Sequence, residues 1–115
     1  MEYKIEMNNV KVIKLVTDFF PRPKWRYRLE GKGSGEEFRD DFLIQELRIK
    51  DQKTVVDMTG YNRYGPSFIS EAFGGLVREH NLTIKFLKDH LEIIHNDLPS
   101  LSKTCWREIE EASQE

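Results

Sequence analysis

The chain has 115 residues, of which 38% are hydrophobic and 33% charged, and a formal net charge of −2. That length fits a single domain, residues 1–115, with a core of its own, and the charge argues against wholesale nucleic-acid binding. No apolar run is long enough to cross a bilayer, and the lone Cys105 excludes an internal disulfide and suits a reducing, cytoplasmic setting.

Residues 2–16 alternate, with Tyr3, Ile5 and Met7 set between Lys4 and Glu6, then Val10 and Val12 on one face. Asn8-Asn9 divides the two runs, so two antiparallel strands are expected here. The prolines of TDFFPRP, residues 17–23, make that stretch an irregular connection. Lys24 to Leu29 then alternates again. Trp25, Tyr27 and Leu29 are expected to enter the core from a half-buried strand, leaving Lys24, Arg26 and Arg28 solvated. The same cations carry a weaker reading, contact with nucleic-acid phosphates.

Gly31-Lys32-Gly33-Ser34-Gly35 resembles a phosphate-cradling loop, though its spacing matches neither a Walker A motif nor a dinucleotide fingerprint. A capping box explains it as well, with Ser34 at the N-cap and Glu37 at the third helical position. The helix that follows is expected to turn Phe38, Phe42, Leu43, Leu47 and Ile49 inward, and Glu36, Arg39, Asp40 and Glu46 outward.

Val55-Val56-Asp57-Met58 opens the stretch on which the rest is organised, a central strand over 53–58. A loop from Thr59 to Pro66 leads to Ser67, read as the N-cap of a helix over 67–80. Phe68, Ile69, Ala72, Phe73, Leu76 and Val77 form its apolar stripe, with Glu71 solvated or turned back towards the loop. Asn81 closes it. A strand over 82–87, a short helix over 88–97 and a last helix capped by Ser100 or Ser102 complete the chain, which frays into an acidic tail within 100–115. The alternation of elements implies an α/β fold, a mixed β-sheet with parallel strands joined by helical crossovers.

Chemistry-bearing clusters are sparse. His80, His90 and His95 lack the i, i+4 spacing of a helical metal pair, and no serine–histidine–aspartate arrangement is recognisable. Neither a metal, a cofactor nor an enzymatic activity is expected. A helix entrance does favour anions, which makes Ser67 a natural contact for phosphate or carboxylate.

The segment VVDMTGYNRYGPSFISEAFGGLV is similar in layout to the VxLDLSGVxxxDSSGLGxLL segment of STAS domains, the fold of bacterial anti-sigma-factor antagonists. More closely, GKGSGEEF followed by VVDMTGYN and PSFISEAFGGLV resembles the STAS-like family of small bacterial domains, over a core region of about 25–95. The resemblance implies a mixed sheet with helices packed mainly on one face. In the antagonists the second serine of the DSS motif is phosphorylated by a kinase of the histidine-kinase-like ATPase type. That position falls at Ser67 here, with Gly65, Pro66 and Phe68 replacing the motif's other residues.

The expectation drawn from both lines is a non-enzymatic regulatory or adaptor domain. It would bind a protein partner, a histidine-kinase-like ATPase among the candidates, through residues 59–71, with Ser67 as a switch. The alternative is a small-molecule or nucleotide binder using Gly31–Gly35 and the Ser67 helix entrance. Ser67, Glu71, Arg63, Gly33, Ser34 and Gly35 are the candidate partner- or phosphate-binding residues, and nothing in the sequence indicates an oligomeric state.

Overall fold

The computed structural model describes residues 9–115. Three parallel strands, β1 (Asn9–Lys14), β2 (Gln52–Asp57) and β3 (Leu91–Ile94), form a sheet in the order β1-β2-β3. Val56 is the register point, opposite Ile13 on one side and Ile93 on the other. The first arm of the expected hairpin lies outside the described residues, and Asn9 already belongs to β1. The described strands are thus all parallel.

Between β1 and β2 runs helix α1, residues 35–47, through Gly35–Phe38, Arg39–Leu43 and Ile44–Leu47. Between β2 and β3 run α2, residues 66–78 (Pro66–Ile69, Ser70–Gly74 and Gly75–Arg78), and α3 (Ile84–His90). Helix α4 (Ser100–Ser113) follows the sheet. The helices cover the face that carries Ile13, Thr54, Val56, Leu91 and Ile93, all buried, while Val10 and Val12 on the other face stay exposed. α2 lies at the centre, with α1 and α4 both packed against it.

Both α1 and α2 contain one wide turn closed by an i→i+5 hydrogen bond, from Ile44 N–H to the Arg39 carbonyl and from Gly75 N–H to the Ser70 carbonyl. A wide turn inserts one residue and shifts the buried face of everything beyond it. Hence Ile44 is buried, Phe42 only partly so, and Ile49 is exposed instead of entering the core. Arg39, which opens the wide turn of α1, faces inward, 3% exposed, against the expectation that it faces water.

Three further expectations are corrected. Residues 24–29 are not a strand: Trp25 lies at φ +77°, a short 3₁₀ turn occupies Arg28–Glu30, and Leu29 is 97% exposed. Their backbone is spent elsewhere, on Gly33, Gly35, Glu36 and the Glu30 and Glu36 carboxylates. The strand over 82–87 and the helix over 88–97 exchange identities. Thr83 Oγ1 accepts from Phe86 N–H at 3.0 Å and opens α3, leaving the β-branched pair Ile93-Ile94 to supply β3. Finally, Ser100 and Ser102 lie inside α4, which Pro99 precedes without a side-chain cap, and the acidic stretch stays helical to Ser113. Asn81 does close α2, in the left-handed conformation, donating to the Val77 carbonyl.

Candidate functional site

The loop after β2 is fixed from three sides. Asp57 Oδ1 accepts from Thr59 N–H at 3.0 Å, and Thr59 Oγ1 accepts from Asn96 N–H at 2.9 Å. The Tyr64 hydroxyl donates to the Met58 carbonyl, and burial pushes its pKa upward. Buried His95 accepts at Nδ1 from the N–H groups of Asp97 and Leu98, so the hydrogen bond between Nε2 and the Tyr61 carbonyl is donated by Nε2–H. Such fastening presents Tyr61, Arg63 and the start of α2 on a rigid frame.

α2 begins one residue earlier than expected. Gly65 is the N-cap, in extended conformation, and Pro66 occupies the first helical position. Ser67 is therefore not the cap. It sits in the first turn, exposed, with its Oγ accepting from Arg26 Nη2 at 3.5 Å. A cleft of about 420 Å³ opens beside it, lined among others by Arg22, Lys24, Trp25, Tyr61 and Arg63.

The glycine loop takes no part in that cleft. Gly33, Ser34 and Gly35 are buried, and Ser34 Oγ caps α1 by accepting from Glu37 N–H at 3.0 Å. Glu37 answers by accepting from Gly33 N–H, one residue before the cap, and Gly35 N–H donates to the Trp25 carbonyl. The amides a phosphate would need at Gly33 and Gly35 are already bonded. Gly35 also lets α1 touch α2 directly, since a Cβ there would lie 2.6 Å from the Phe68 carbonyl. The loop is a helix cap and a packing joint, which removes the cradle from the nucleotide reading.

Behind Ser67 a chain of charges runs through the protein. Arg26 Nη1 lies 3.5 Å from Glu71 Oε1, and Arg39 Nη1 lies 2.7 Å from Glu71 Oε2. Arg39 also donates to the Glu71 carbonyl and, through Nε, to Asp40 Oδ1 at 2.8 Å. Asp40 in turn meets His80 Nε2 at 2.8 Å. Glu71 is thus buried, 5% exposed, rather than solvated. Burial works against the Arg39 and Asp40 charges, but the hydrogen bonds outweigh it: Arg39 is held above its ordinary pKa by Asp40 and Glu71, Asp40 below its own by Arg39 and His80. Gly75 makes room for this, since a Cβ there would overlap the Arg39 guanidinium.

The structure therefore brings together Ser67, Arg63 and, one layer down, Glu71, and sets Gly33, Ser34 and Gly35 apart in the α1 cap. Sequence reasoning missed Arg22 and Trp25 as cleft walls, and Arg26 and Arg39 as partners of Glu71. One signal was available: Pro21, Pro23 and the glycines of 31–35 bracket residues 24–29 closely, which favours a folded-back loop over a strand.

Among the described residues no helix is long and apolar enough to cross a membrane. No curated protein and no solved structure matches the chain. A family model described as the STAS-like domain of unknown function (DUF4325) matches residues 34–101, more than half of the chain, from the α1 cap to the start of α4. Its match spans β2, the 59–65 loop, α2 and β3, and with the α/β architecture places this chain in the STAS-like (DUF4325) family.

Proposed function

We propose that this protein is a non-enzymatic regulatory or adaptor domain that binds a protein partner through the loop and helix start 59–71. The observation that carries the reading is Ser67 itself, exposed in the first turn of α2 at the edge of a basic cleft, directly after the fastened 59–65 loop. Its hydroxyl meets a guanidinium, which donates hydrogen bonds and cannot accept a proton, so nothing in that contact activates it as a nucleophile. The thiol of Cys105 is no better placed, since it is buried and burial pushes its pKa up to about 12. A free buried thiol also suits work in the cytoplasm.

A phosphoryl group on Ser67 would add a charge of about −1.5 to −2 beside Arg26 and the cations of the cleft. Neutralising that surface is how modification would switch partner binding. The resemblance to anti-sigma-factor antagonists makes a histidine-kinase-like ATPase the first partner class to look for. Affinity capture from the native lysate, with Ser67→Glu and Ser67→Ala beside wild type, tests this. Partner retention is expected to fall at least about tenfold, ~1.4 kcal/mol, in Ser67→Glu and to persist in Ser67→Ala. Equal retention by Ser67→Glu, with folding intact, would remove Ser67 from the interface.

A further inference from the structure

We infer that the cleft beside Ser67 recognises an acidic segment of the partner polypeptide, a specificity that rests on the partner-binding reading above. The oxyanions of that segment meet Arg22, Lys24 and Arg63, and its apolar atoms rest against Trp25 and Tyr61. Charge complementarity is the first support. The chain carries 20 acidic residues against 18 basic ones, yet none of the described residues lining this cleft is acidic. The neighbouring Arg26 and Arg28 are engaged with Glu71 and Asp41. Arg22, Lys24 and Arg63, by contrast, have no carboxylate within ion-pair distance among the described residues. Three unneutralised cations converge on one concavity, where low-dielectric walls concentrate their field.

The second support is the geometry of Trp25. A bulky residue in the left-handed region is strained, and such outliers concentrate where a ligand is gripped. Here the backbone at φ +77° lays the indole against Gly31, where a Cβ would come 2.9 Å from Trp25 Cδ1. The Lys24 ammonium sits 4.5 Å from the ring centroid, and the side chain of Trp25 remains 39% exposed. Cation and aromatic wall are both positioned before any partner arrives, which lowers the entropy lost on binding. The cations also stand on two separate segments, 22–24 and 63. That spread suits several charges along an extended chain better than one compact polyphosphate, for which the bonded glycine loop offers no cradle.

The test reads Trp25 fluorescence in the full chain carrying Trp106→Phe, or the Trp25 indole N–H in wild type by NMR. Two synthetic octapeptides serve as probes, one with four glutamates around a central leucine and one with glutamine in their place. Inorganic phosphate and ATP form separate arms. The glutamate peptide is expected to give a saturable change that weakens about tenfold or more in Arg63→Glu, and again between about 50 and about 300 mM salt. The glutamine peptide is expected to give none. Equal responses to both peptides, no response to the glutamate peptide at millimolar concentration, or a response to phosphate or ATP alone would each overturn the inference. Partner capture lost in Ser67→Glu together with equal peptide responses would defeat the acidic specificity and leave the partner-binding reading standing. Capture unchanged in Ser67→Glu together with glutamate-selective binding would do the reverse.

Discussion

Replacing Arg39 by methionine is expected to lower the unfolding free energy by about 3–5 kcal/mol. The substitution keeps the volume and removes a guanidinium that serves Glu71 twice, at its carboxylate and at its carbonyl, and Asp40 twice more. What remains is a carboxylate with 7% side-chain exposure, left with only the longer contact to Arg26. The cost comes from that stranded charge more than from the lost attraction, because an ion pair taken out of water gains little over well-packed apolar groups. A double variant, Arg39→Met with Glu71→Leu, is therefore expected to recover most of the loss. Arg39→Lys should fall between, since one ammonium cannot reproduce the fork that reaches two carboxylates. Urea unfolding followed by circular dichroism reads all three. A loss below about 1 kcal/mol for Arg39→Met would show that water reaches Glu71 and that the pair is not buried in solution.

Phe38→Ala is expected to cost a similar amount, about 3–5 kcal/mol. Phe38 is fully buried where α1 meets α2, with ring centroids of Phe19 at 5.2 Å, Phe68 at 6.3 Å and Phe73 at 6.5 Å. Truncation loses the transfer energy of the ring and leaves a void that these neighbours can fill only in part. Its effect should also reach the site, because Phe68 follows Ser67 directly and loses one wall of its pocket. Phe38→Leu, which keeps most of the volume, should cost less than half as much and leave partner capture intact. A Phe38→Ala loss near that of Phe38→Leu would mean that the helices close over the gap.

The centre of the fold was legible in the sequence. Val55, Val56 and Met58 are all buried because β2 lies between two other strands and leads into the core, and the stripe from Phe68 to Leu76 follows α2 into the same core. The Ser34–Glu37 cap was legible for a similar reason, since capping is settled within four residues. What depended on distant contacts was not. Arg39 and Glu71 read as surface charges on a regular helix, and only the wide turns, packed face to face, bring them together across 32 residues of chain. Residues 24–29 fit a strand template by alternation, yet their backbone groups are bonded to the α1 cap and to nearby carboxylates rather than to a sheet. Residues 82–97 hold two short apolar runs, and periodicity alone does not tell a short helix from a short strand. At the site, Ser67 and Arg63 stand on the segment that the motif marks. Arg22, Lys24 and Trp25 arrive through the fold-back of the preceding loop, some forty residues away in the chain.

Hydrogen exchange of the full chain, with and without the captured partner, tests the central claim most directly. Slower exchange confined to 59–71 and to 22–26, and absent when the Ser67→Glu variant is mixed with the same partner, is the expected result. Protection on β1 or α4 with unchanged exchange over 59–71 would place the partner elsewhere and contradict the reading.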